Sequence, residues 1–145
     1  MIPPAVKTIR FRASIIDLVE QLNPALAITL AFNRDTSLDC AAVDLKHLHA
    51  RLDRMILGRS WAKRADDRSI YVAVIEHADS NLHIHLALRC RPEHVDQIAS
   101  AVAGIWKEII PSGSVKVKDV YDAPGWGRYI SKAITLGTSE LLLMS

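Results

Sequence analysis

Apolar positions along the chain alternate in some stretches and recur at helical spacing in others, a mixture that predicts strands interleaved with helices. Residues 26–33 (LAITLAFN) are apolar and β-branched and predict a buried strand, stopped by the turn-forming Asn33-Arg34-Asp35. From Ala41 to about Leu57, Leu45, Leu48, Leu52 and Met55 or Ile56 recur with helical period, and Gly58 supplies a stop. Ile70 to His77 and Leu82 to Cys90 predict two more strands, joined by the turn residues Ala78-Asp79-Ser80-Asn81. Arg91-Pro92-Glu93 opens a second helix with an apolar stripe of Val95, Ile98, Val102, Ile105 and Ile109, broken by Pro111-Ser112-Gly113. Val115, Val117 and, less regularly, Val120 alternate with Lys116 and Lys118 in a fourth strand. A Pro-Gly-Trp-Gly turn at 124–127 leads into a short helix from Arg128 to about Thr135, ended by Gly137. A further helix is expected around Ile15 to Leu22.

The order βαββαβ plus a terminal helix predicts an α+β, ferredoxin-like or RNA-recognition-like (RRM-like) architecture: a four-stranded antiparallel sheet, two helices on one face and the other face free. With 145 residues and 50% hydrophobic content, residues 1–145 are expected to form a single domain whose core spans about 26–135. The net charge of +2 permits nucleic-acid binding through a local patch without demanding it. No apolar run approaches membrane-spanning length, the N-terminus lacks a signal core, and a soluble, cytoplasmic protein without a membrane partner is expected. Cys40 and Cys90 have neither metal nor redox spacing and are expected to be reduced, buried thiols.

Candidate chemistry concentrates in Asn81-Leu-His-Ile-His-Leu-Ala-Leu-Arg89. On a pleated strand His83 and His85 share one face, and Leu82, Ile84, Leu86 and Leu88 share the other. A two-residue loop at Asp79-Ser80 sets Glu76 directly opposite His83, so a carboxylate and two imidazoles converge on the free face. Such a set suits one divalent ion. His77 is expected to be structural, and His47, His49 and His94 to be exposed. On the last helix Tyr129 and Lys132 stand three apart and share a face, an arrangement in which positive charge can favour a phenolate nucleophile.

At this point the residues resemble a known family, the HUH endonucleases of rolling-circle replication. Its members carry His-hydrophobic-His on a central strand and Tyr-x-x-Lys on a later helix, here His83-Ile84-His85 and Tyr129-Ile130-Ser131-Lys132. Glu76, seven residues before His83, matches the third ligand of replication initiators, and Ala27-Ile-Thr-Leu-Ala-Phe32 resembles their first motif. The tyrosine follows the histidines, as in initiators (Rep-type) and single-tyrosine transposases and unlike relaxases. Ala133 occupies the place where such transposases take a ligand and two-tyrosine phage initiators a second tyrosine. The resemblance therefore implies a single-tyrosine initiator of a plasmid, phage or other mobile element. It implies metal-dependent nicking and rejoining of single-stranded DNA, from an origin or hairpin, through a covalent phosphotyrosine. Tyr129 and Lys132 would be catalytic; His83, His85 and Glu76 would hold manganese (Mn2+) or magnesium (Mg2+).

DNA is expected across the free face, touching Arg89 and, from "GRSWAKR", Arg59, Lys63 and Arg64, with Trp61 as a stacking surface. Many initiators append a helicase domain, and only ten residues follow Thr135, so the resemblance implies either a separate helicase partner or an excised nuclease domain. Alternative readings are a non-catalytic RRM-like single-strand binder, a metallohydrolase using water, a single-tyrosine transposase or recombinase, and a degenerate family member.

Overall fold

In the computed structural model, residues 13–14, 16–76, 81–120, 125 and 139–144 are described. Their elements run α1 (16–22), β1 (Leu26–Ala31), α2 (Leu38–Leu57), β2 (Ile70–Glu76), β3 (His83–Arg89), α3 (Val95–Ile109), β4 (Ser114–Asp119) and β5 (Ser139–Met144). The fold is α+β, and its sheet has the order β4-β1-β3-β2-β5 with every neighbouring pair antiparallel. The four expected strands are present, and β5 is an addition. Its sequence, SELLLM, is a short apolar run without a period of its own, so nothing marked it as a strand before its pairing with β2. The expected tyrosine helix, Arg128 to about Thr135, lies outside the described residues.

Local chemistry accounts for the helix ends. Ser37 caps α2 by accepting from the Cys40 amide at 3.1 Å, and Gly58, at φ +80°, closes it. Between sheet and helices lies the main core, including Leu26, Ile28 and Leu30 of β1, Leu45, Leu48 and Leu52 of α2, Ile84, Leu86 and Leu88 of β3, and Ile98, Val102 and Trp106 of α3. Trp106 is fully buried; its indole Nε1 donates to the Ala31 carbonyl at 3.0 Å, and its ring meets Phe32 edge to face at 5.0 Å. A Cβ added at Gly113 would fall 2.5 Å from that Nε1, so the turn before β4 accepts only glycine. Cys40 is exposed and Cys90 half-buried, against the expectation of two buried thiols.

The second sheet face differs from the expected free surface. Ala27, Ala31, Val72, Val74, His85 and Ala87 lie on it by register, and all are buried. They stand apart from the main core, as do the buried Val19 and Leu22 of α1. The reason is visible in Val72-Ala73-Val74 and in Leu86-Ala87-Leu88: these central strands are apolar on both faces, the pattern of a sheet covered twice. The face is wet only along its margins. Among the described residues, no helix is long and apolar enough to cross a membrane.

Candidate functional site

Cross-strand pairing assembles the site. β2 and β3 set Glu76 opposite His83 and Val74 opposite His85, the register expected from the sequence. β1 adds Ala31 and Thr29 to these two rows, and β4 adds Ser114 and Lys116. The rows thus read Ser114, Ala31, His83, Glu76 and Lys116, Thr29, His85, Val74 across one face.

Glu76 Oε2 accepts from His85 Nε2 at 2.7 Å, with the His85 side chain 7% and the Glu76 side chain 36% exposed. On its other side the His85 ring turns Nδ1 toward Thr29 Oγ1, 3.4 Å away. His83 Nδ1 donates to the Asn81 carbonyl at 2.9 Å. A carbonyl can only accept, so the neutral His83 ring carries its proton on Nδ1 and keeps the Nε2 lone pair for another partner. This is how ligating histidines are commonly oriented.

Asn33 and Asn81, which sequence reasoning passed over as turn residues, hold this end of the sheet. The Asn33 amide donates to Asn81 Oδ1 at 2.9 Å and Asn81 Nδ2 donates back to Asn33 Oδ1 at 2.9 Å. Asn33 Nδ2 also reaches the Ser112 carbonyl and Ser114 Oγ. Asn33 adopts φ +55°, a left-handed conformation that asparagine tolerates better than most residues. That tolerance, in an asparagine following a strand, was the one available signal.

A second polar cluster lies on the α2 side. Asp53, fully buried, accepts from Arg68 Nε at 2.7 Å, from the Ser69 amide at 3.0 Å and from Ser69 Oγ at 2.6 Å. His49 Nε2 is 2.9 Å from the Ser69 carbonyl and 3.2 Å from Asp53 Oδ2, and its Nδ1 is 3.2 Å from Arg68. His49, expected to be exposed, is buried because its face of α2 meets the residues that lead into β2. Burial holds its pKa below the ordinary 6.5, outweighing the pull of Asp53. His47 is exposed as expected, and His94 is half-buried with Nδ1 unpartnered. Tyr71, buried against His49 at 4.9 Å, has its pKa raised by burial and faces away from His83 and His85. It is no phenolate candidate.

The expected site residues divide into three groups. Glu76 and His85 are in contact, with His83 beside them and Arg89 farther along the same face, exposed. Trp61, under the Arg68 guanidinium at 4.8 Å, lines a cavity with His49 and Tyr71 on the α2 side, and Arg64 donates to Asp67 and to the Leu57 carbonyl. Arg59 and Lys63 are exposed in that same stretch. Instead of bordering the histidines, this segment is drawn to α2, by the Arg64 and Arg68 bonds. Tyr129, Lys132 and Trp126, and also His77 with the hairpin tip, lie outside the described residues.

Two imidazoles and a carboxylate form a donor set suited to a borderline divalent ion, and the Nε2 lone pair of His83 fits ligation. Among the described residues, however, no three His, Cys, Asp or Glu groups are gathered around one point. Glu76 and His85 hold each other, so an ion would have to open their 2.7 Å bond and displace the Nε2 proton. Comparison with known proteins brings no relative: no family model, no curated protein and no solved structure matches the chain.

Proposed function

We propose that the chain is an HUH-type, single-tyrosine nuclease that nicks and rejoins single-stranded DNA to start rolling-circle replication of a plasmid, phage or other mobile element. The observation that carries this reading is the contact of Glu76 with His85 beside His83, on adjacent strands of one sheet face. The order β4-β1-β3-β2 favours the ferredoxin-like reading.

Glu76, His83 and His85 would hold manganese or magnesium, which when bound polarises a phosphate oxygen. Thr29 and Asn81 keep the two rings aligned. Lys132 favours the phenolate of Tyr129 by its positive charge. Once the phenolic proton has left, Tyr129 Oη bonds to phosphorus while the bond from phosphorus to the 3′ oxygen breaks and that oxygen takes up a proton. The 5′ phosphate stays on the tyrosine and a 3′-hydroxyl is released. Attack by another 3′-hydroxyl reverses the step, and one phosphodiester replaces another without a nucleotide cofactor. Arg89 serves as a phosphate contact.

Labelled single-stranded DNA incubated with manganese tests this directly. A covalent adduct is expected with the wild-type chain and none with Tyr129→Phe; equal products from both would overturn the assignment. Calorimetric titration with manganese should show Glu76→Ala binding about tenfold more weakly or worse. An unchanged affinity would remove Glu76 from the ligand set.

A further inference from the structure

The buried middle of the histidine face raises the question of where a DNA strand can lie. Ala27, Val72, Val74 and Ala87 are covered, and among the described residues the face displays no aromatic side chain on which bases could stack. At the margin, β4 is an edge strand. Val115 and Val117 pack toward the main core, which turns Lys116 and Lys118 onto the histidine face, and both lysines are exposed. Register puts Lys116 in the row of His85, and Lys118 one pleat on, in the row of Ala27 and Ala87.

Charge on this face is one-sided. Among the residues of β1 to β4 that register places on it, the ionised side chains are Lys116, Lys118, Arg89 and a single carboxylate, Glu76, which belongs to the site. Neither lysine makes an ion pair among the described residues. Lysines two apart on a strand stand roughly 6.6 Å apart, close to the separation of successive phosphates in an extended single strand. β4 and β3 are two strand spacings apart, roughly 10 Å, which an extended lysine and one nucleotide can bridge.

Resting on the nuclease reading above, we propose that single-stranded DNA approaches the histidine row along the β4 edge, its phosphates held by Lys116 and Lys118, and does not cross the middle of the face. Phosphate contacts without stacking give binding that is strongly salt-dependent and weakly sequence-dependent. Lysines on an edge strand also discourage pairing with another chain. That role alone predicts no effect on DNA.

The test is fluorescence anisotropy of a labelled oligothymidylate with the full chain, without metal, over a series of salt concentrations. The double variant Lys116→Ala/Lys118→Ala should bind several-fold more weakly, with the slope of log affinity against log salt reduced by about 1.4, from about 0.7 per phosphate contact. Lys116→Arg/Lys118→Arg should bind as wild type, and so should Lys107→Ala on α3. Unchanged affinity in the alanine pair overturns the track, whether or not the variant self-associates on gel filtration. An equal loss in Lys107→Ala overturns it too, because general charge then explains the binding. If the track residues matter and no Tyr129 adduct ever forms, the DNA path stands and the nuclease reading falls. If the adduct forms and the lysines are silent, the reverse holds. A wild-type chain that fails to bind the oligonucleotide overturns the track outright.

Discussion

Two histidine-containing polar clusters occupy opposite sides of the same sheet, and they differ in how far their atoms are satisfied. Around Asp53, both carboxylate oxygens and both His49 nitrogens have protein partners, and Arg68, over the Trp61 ring, closes the set. Around His83 the bonding is partial: one ring nitrogen is fixed by Asn81, and Glu76 is more than a third exposed. A closed network holds loops to helices; an incompletely used one leaves donor atoms for something that arrives from solution. Composition does not separate the two, since both contain histidine and a carboxylate.

The largest effect should come from breaking the closed cluster. Asp53→Ala leaves the Ser69 amide and Arg68 without their acceptor and should lower stability by roughly 3 kcal/mol, measured by denaturant unfolding. A loss below about 0.5 kcal/mol would mean the network is decorative. Asn33→Ala, on the open side, should remove about 1 kcal/mol and weaken manganese binding on calorimetry, because the hairpin mouth behind His83 loosens. Glu76→Ala should change stability by less than about 0.5 kcal/mol, since its carboxylate is partly in water. A large loss there would make it structural like Asp53 and erase the contrast.

The smallest effect is the pH response of His49. Its folded pKa lies below the unfolded 6.5, so below that pH the unfolded chain binds more protons than the folded one. The contribution is fully present above pH 6.5 and is lost as the pH falls through the lowered value. His49→Gln should therefore flatten the decline of stability below pH 6.5 relative to wild type. Parallel curves would show that another group sets the slope.

Much of this arrangement was legible before any coordinates. Alternation in Asn81–Arg89 and a two-residue loop were enough to put Glu76 across from His83, because register follows from turn length and from which face must be apolar. Gly58 stops α2 as expected, whereas the helix begins at Leu38 behind the Ser37 cap, ahead of the expected start at Ala41. Three things were not legible. Whether Val72, Val74 and Ala87 are covered depends on what other parts of the chain do, although their apolar run on both faces was a hint. His49 sits at a helical position that looks polar until Ser69, twenty residues on in sequence, is brought to it beside Asp53 of the same helix. The third is β5, whose six residues carry no period of their own.

The asparagine pair at the end of β1 has a dynamic consequence. Phe32 donates to the Leu82 carbonyl and Asn33 to the Asn81 side chain, while Asn33 in turn grips the loop that starts β4. Three connections far apart in sequence are thereby knotted at one corner. In an isotope-labelling time course the amides of Phe32 and Asn33 should open together as one unit, setting how long the His83 ring keeps its orientation between openings.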